Sequence, residues 1–304
     1  YYLDGNIKSE NTRTFAYDNL GRLKHEQNGT ESITYSYDKL GNRAAMNKNG
    51  AVTNYTYDQN NRLLQEVTGD QYTFYHYDDR GNLYSKRTDE RSTAGDLTRV
   101  DTFGALKHDV NSTVELYSYD GFNRMTEARK GAMTATYQYN AEGIRTSKTV
   151  NGVRTDFLLD GANVIAETKN GTTTNYIRGA SGIISSSVFG SNSLTKYYTS
   201  DGHGNITNLT NSSGDVVKTY VYDAFGVEQN IDPNDLNPFR YCGEYYDSEI
   251  NQIYLRARYY NPSLGRFTQS DPAMADGMNW YVYCGNNPIL NIDPYGLDHY
   301  IFYG

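Results

Sequence analysis

The nine residues Tyr35-Ser36-Tyr37-Asp38-Lys39-Leu40-Gly41-Asn42-Arg43 decide how this chain is read, because close copies of them recur on both sides. Phe15 to Leu23 reads FAYDNLGRL, Tyr55 to Leu63 reads YTYDQNNRL and Tyr75 to Leu83 reads YHYDDRGNL. The tyrosines that precede the Asp (Tyr17, Tyr37, Tyr57 and Tyr77) therefore fall 20 residues apart each time. The next copy, YSYDGFNRM, places Tyr119 a further 42 residues on, a gap that accommodates two slightly longer units, one of them degenerate. YQYNAEGIR restores the step of 20 at Tyr139, with Asn140 in place of Asp, and weaker copies carry Asp160, Asp201 and Asp223.

Each unit has a physical reading. In Tyr-x-Tyr the rings are two residues apart, so on a strand they share one face, where rings from neighbouring units can stack in rows. Asp then opens a turn: its carboxylate accepts backbone N–H groups just downstream, and the Gly or Asn three residues later tolerates a positive φ. The Arg or Asn that follows, with Leu, starts the next strand, which runs to a second turn such as Asn28-Gly29 or Asn49-Gly50. One hairpin cannot bury its aromatic face alone, so the units need neighbours, and a long ribbon of antiparallel sheet is expected. A feature present in every unit serves a scaffold better than it serves a single binding site.

Composition agrees with an all-β chain. Hydrophobic residues make up 37% of the 304 residues, but 31 Tyr and 10 Phe concentrate the buriable area in rings that favour strands. The formal charge of -8 and the lack of a basic block argue against nucleic acid as a partner. Cys242 and Cys284 are too few for a disulfide framework and lack zinc-ligand spacing, although one disulfide between them stays open. No metal or organic cofactor is indicated. No stretch approaches the ~20 apolar residues of a membrane helix. The chain begins at Tyr1, inside a repeat, so it reads as a fragment that lacks its true N-terminus and the preceding repeats.

Repeats of this kind and period resemble the RHS and teneurin superfamily of YD-repeat proteins. The resemblance implies a spiral β-sheet that closes a hollow shell, of which this chain supplies part of the wall. From about Asn237 the pattern changes. Tyr-Asp at Tyr246, YLRARYY at Tyr254 to Tyr260, Gly-Arg-Phe at Gly265 to Phe267 and Asn-Asn-Pro at Asn286 to Pro288 resemble the RHS-associated core domain. The expected organisation is thus repeats over 1–236, core domain over 237–297, and a variable or truncated tail over 298–304.

The resemblance also implies chemistry. The family carries paired Asp-Pro-x-Gly signatures and is cut after a Leu that follows the second. Here Asp271-Pro272-Ala273-Met274 and Asp293-Pro294-Tyr295-Gly296 place the two Asp 22 residues apart, with Leu297 and Asp298 next. Met274 replaces the first Gly, and Ser270 stands where the family has Pro or Arg. Two carboxylates held together share a proton, so one protonates a leaving group while the other activates water. On this basis Asp271 and Asp293 are the candidate catalytic pair. Asp276 is an alternative partner, Arg266 a cation for the carboxylates or the scissile carbonyl, and Leu297–Asp298 the bond cut. Asp-Pro-x-Gly is also ordinary turn chemistry.

Two functions follow. The first is encapsulation, in which the wall sequesters the protein's own C-terminal effector and the core domain releases it by a single cut in cis, in a protein that the resemblance places outside the cell or on its surface. The second is adhesion, in which exposed tyrosine rows bind cell-surface glycans. An enzyme acting in trans is not expected, because no nucleophile elbow, phosphate loop or metal motif is present.

Overall fold

The computed structural model describes residues 1–90, 112–180, 182–229, 231–273 and 278–301. An antiparallel sheet of 20 strands carries the chain from Ser9–Glu10 to Val216–Thr219. Each strand pairs with the next in sequence, so the sheet is a continuous meander.

The tyrosines of successive units occupy equivalent places. Tyr17, Tyr37, Tyr57 and Tyr77 lie opposite Leu23, Arg43, Leu63 and Leu83, each with a bulge one residue before the tyrosine. Alternation then turns the rings inward: Ile33 and Tyr35 are buried while Thr34 and Ser36 between and beside them are exposed. The Asp closes the turn as its chemistry requires. Asp38 Oδ1 accepts the N–H groups of Leu40 and Asn42 at 2.8 and 2.9 Å, and Oδ2 accepts the Asn42 amide at 2.9 Å. Gly41, at φ 81°, supplies the left-handed residue, and Asn61 does the same at φ 61°. The same turn recurs at Asn211, a copy with no Tyr-Asp signature, whereas Asp160 leads into a tight Gly161-Ala162 hairpin.

Two features stitch unit to unit beyond the backbone ladder. The hydroxyl of the second tyrosine donates to a carbonyl of the preceding hairpin: Tyr37 to Leu23, Tyr57 to Arg43 and Tyr139 to Met125, at 2.7 to 2.8 Å. The first tyrosine donates to a Glu nine residues back in Tyr35–Glu26, Tyr75–Glu66 and Tyr176–Glu167. Buried phenols are thereby satisfied.

Three expectations are corrected. Strand Leu83–Glu90 pairs directly with Thr113–Tyr119, so the 42-residue gap holds one unit with a lengthened link rather than two units. Residues 91–111 of that link lie outside the described residues. Among the described residues the inward rings do not stack along rows. Tyr77, Tyr137, Phe157 and Tyr176 pack edge-on or tilted against Tyr281, Tyr259, Tyr245 and Phe239 of the C-terminal segment. Exposed tyrosine rows for adhesion are therefore absent from these units, because that face is covered.

The covering segment contains four short consecutive antiparallel strands, Tyr245–Asp247, Gln252–Leu255, Arg258–Asn261 and Arg266–Phe267. It also forces the sheet to curl. Laid flat at ~4.8 Å per strand, twenty strands would separate the first and last by ~90 Å. Instead Asn287 donates to Asn6 at 2.6 Å, His203 Nε2 meets the Asn291 carbonyl at 3.2 Å, and Glu10 lies against Gly202. The two ends approach without pairing, so the sheet is curled and open.

Candidate active site

The first Asp-Pro segment is held by a repeat. Leu83 N–H donates to Thr268 O at 2.9 Å and Ser270 N–H to Gly81 O at 3.1 Å, so the Asp78 turn grips both sides of Gln269. Gly81 is required there, since a Cβ would fall 2.6 Å from the Tyr281 hydroxyl and 2.9 Å from Ser270 Cβ. Asp271 follows, its N–H on Trp280 O at 3.0 Å and its Oδ1 accepting from Ala273 N–H at 2.7 Å. The second segment follows strand Asn291–Ile292, which pairs with Tyr300–Ile301. Asp293 Oδ1 accepts the N–H of Leu297 at 3.1 Å.

Arg258 joins the two. Its guanidinium lies 3.6 Å from Asp271 Oδ2 and 3.7 Å from Asp293 Oδ2, and all three side chains are 1% exposed. Nε donates to Gly296 O at 2.5 Å, a terminal nitrogen to Trp280 O at 3.0 Å, and the cation sits 3.6 Å above the Phe267 ring. One arginine thus touches both carboxylates and the backbone beside the expected cut. Burial pushes the Asp293 carboxyl up to about 6, while Arg258 and the N–H groups of Leu297, Gly296 and Tyr295 pull the other way. Asp271 Oδ2 makes no hydrogen bond among the described residues and lies 3.6 Å from the guanidinium.

The DPYG turn is seated tightly. Gly296, at φ 66°, lies where a Cβ would meet Leu255 O at 2.7 Å and Arg258 N at 3.0 Å. Arg256 donates to Pro294 O at 2.6 Å and pairs with Glu244. Leu297 is half-buried and Asp298 exposed.

Of the residues singled out from sequence, Asp271 and Asp293 are brought together. Arg266 is not with them. Its guanidinium donates to Asn61 O at 2.5 Å and lies between the rings of Tyr57 and Tyr281, 4.9 and 5.0 Å away, so it fastens the core to a repeat. The cation of the carboxylate pair is Arg258, which sequence reasoning missed. The signal was present in YLRARYY, where Arg258 alternates into a run of apolar strand positions and needs buried anions. Asp276 lies outside the described residues. Cys242 and Cys284 are free thiols rather than a disulfide. Cys242 Sγ lies 3.6 Å from His203 Nδ1, but burial pushes the thiol up and away from a thiolate.

A curled meander of Tyr-Asp hairpins wrapped on a C-terminal segment that carries a paired carboxylate defines a YD-repeat shell protein of the RHS type. The chain matches the Teneurin YD-shell family over residues 3–290, and it belongs to that family. It is 37% identical over 195 residues to the tRNA3(Ser)-specific nuclease WapA of Bacillus spizizenii, covering 59% of this chain and 8% of that protein. It is 44% identical over 61 residues to the toxin protein Tse5 of Pseudomonas aeruginosa, covering 20% of this chain and 5% of that one. The chain therefore spans under a tenth of these relatives. A solved structure titled "Crystal Structure of TcdB2-TccC3-Cdc42" superposes with a TM-score of 0.51 at 16% identity, over 94% of this chain and 18% of that one, which is a likeness of fold.

Proposed function

We propose that the chain is part of an exported bacterial scaffold that encloses its own C-terminal effector, and that the carboxylate pair cuts Leu297–Asp298 once, in cis, to free it. The preceding repeats of the parent protein complete the enclosure. The similarity to the nuclease WapA and to the toxin protein Tse5, together with the match to the YD-shell family, supports the enclosing role. The observation that carries the cut is Arg258 holding Asp271 and Asp293 together beside Leu297.

In this reading Asp271 takes a proton from water, whose oxygen attacks the Leu297 carbonyl carbon. Asp293, raised toward 6, gives its proton to the Asp298 nitrogen as the peptide bond breaks. The products are a Leu297 carboxylate and an Asp298 amine. Arg258 keeps the pair together while its charge state changes.

A chain extended past Gly304 by its natural downstream region tests this by denaturing electrophoresis and mass spectrometry. The expected fragment ends at Leu297, forms faster below about pH 6 than above it, and is lost in Asp271→Asn and in Asp293→Asn. Full-length chain in wild type and variants alike would end the proposal.

A further inference from the structure

We propose that the last Tyr-Asp turn of the wall is a proton-dependent clasp: it fastens the end of the sheet to its third strand while Asp223 and Glu26 hold one proton between them, and it loosens when both are ionised. Asp223 opens that turn, just after the final strand of the sheet, Val216–Thr219. Glu26 lies on strand Leu23–Asn28, in the first units of the wall. Both residues are buried, at 7% and 3% exposure.

The Asp223 turn departs from its siblings at one place. At Asp18, Asp38, Asp58, Asp78, Asp120 and Asp201 the second carboxylate oxygen is met by an Arg or Asn side chain four residues on, at 2.6 to 2.9 Å. Four residues after Asp223 stands Val227, which offers only its N–H; that group and the Phe225 N–H meet Asp223 Oδ1 at 2.9 and 3.0 Å. The turn instead carries a second carboxylate, since both oxygens of Glu26 accept the Ala224 N–H, at 3.1 and 2.9 Å. Gln229 crosses the same seam to Glu31 at 2.5 Å. The C-terminal segment backs the turn, with the Tyr241 and Tyr260 hydroxyls donating to Ala224 O and Phe225 O at 3.0 and 2.7 Å.

The surrounding charges do not neutralise the pair. The cations that act on Asp223 are Arg43 and Lys48. Arg43 lies against the rings of Phe225 and Tyr35, 4.2 and 4.8 Å from their centroids, and Lys48 is paired with Glu31 at 2.9 Å. Glu26 also accepts from Arg13 at 3.0 Å and from the Tyr35 hydroxyl at 2.7 Å, so it is the member suited to carry the charge. The phenols of Tyr35, Tyr241 and Tyr260 are pushed far up by burial and stay neutral. The proton then falls to Asp223, whose carboxyl burial and Glu26 push up to about 7. Its loss sets two buried anions together, and parting the turn from the strand lets water reach both. The closed seam binds this proton more tightly than an opened one, so closure is favoured most below about pH 4 and the preference is lost as pH rises to about 7. The clasp does not depend on cleavage at Leu297.

Hydrogen exchange of the whole chain, read by mass spectrometry and corrected for the intrinsic effect of pH on exchange, tests the clasp. Protection of residues 220–229 is expected to fall about tenfold per pH unit between about pH 5 and 7 and to level off above that range. Asp223→Asn cannot ionise and keeps the turn, as Asn140 does in its own unit, so its protection is expected to stay flat across the range. Glu26→Gln should move the fall to lower pH. Wild-type protection that does not change across the range overturns the proposal, as does a fall of the same size in Asp223→Asn.

Discussion

Asp293 shows how one residue's surroundings set its chemistry. Burial raises its carboxyl to about 6, against an ordinary value of 3.8, and Arg258 limits the rise. The folded chain thus binds this proton more tightly than the unfolded chain does. Its contribution to stability is whole below about pH 4 and is lost as pH rises through about 6. Urea unfolding across that window should show the wild type losing about 2 kcal/mol more than Asp293→Asn. The comparison separates Asp293 from Asp223, which burial and the neighbouring Glu26 push up to about 7 and which both proteins share. Identical slopes in the two would mean that the Asp293 proton does not respond to folding.

The repeating element is a hairpin whose turn is built by one carboxylate. Asp58 Oδ1 accepts the N–H groups of Asn60 and Arg62, both at 2.9 Å, and Oδ2 pairs with Arg62 Nε at 2.6 Å. Asn140 performs the backbone part of this with an amide oxygen, accepting from Glu142 and Ile144 at 3.1 and 2.9 Å. Asp58→Asn should therefore cost about 1 kcal/mol or less, because only a half-buried ion pair at the sheet surface is lost. Asp58→Ala should cost about 1–2 kcal/mol, because two N–H groups lose their acceptor. Chemical denaturation of the two variants distinguishes these costs, and equal losses would show that the turn is held by something other than the side-chain oxygen. This level was legible in sequence, since the Tyr-x-Tyr alternation, the Asp and the Gly or Asn three residues on act within one turn. What was not legible was the unit at 83–119, because a long link preserves hairpin pairing while it breaks the spacing.

At the scale of the molecule, the sheet and the C-terminal segment share their cores. Tyr55, Leu63, Tyr75 and Leu83 bury in one cluster with Ile250, Tyr254, Tyr259 and Leu264. Charge is shared as well. Arg145 and Lys148 of the sheet meet Asp247, which is wholly buried, at 2.5 and 2.9 Å, and Lys148 also meets Glu249 at 3.0 Å. Asp247→Ala should destabilise the chain by about 3–5 kcal/mol, because it takes the anion from the buried Arg145 and leaves Lys148 with Glu249 alone. A melting temperature within a degree or two of wild type would show that the segment docks through its rings alone. Twenty strands of local pairing become a curled wall only because one segment reaches residues from Asn6 to His203.

The sequence by itself determined the all-β class, the hairpin and its turn, the inward face of the rings, and the two aspartates 22 residues apart. Those features rest on hydrogen bonds and side-chain alternation over a few residues, which composition and spacing record directly. Only the tertiary structure decided that Arg258 rather than Arg266 faces the carboxylates, that the rings cover a core segment rather than each other, and that the two ends of the sheet come round to one C-terminal segment. Each of these depends on which residues far apart in the chain fill the same buried space, and the spacing of a repeat carries no record of that.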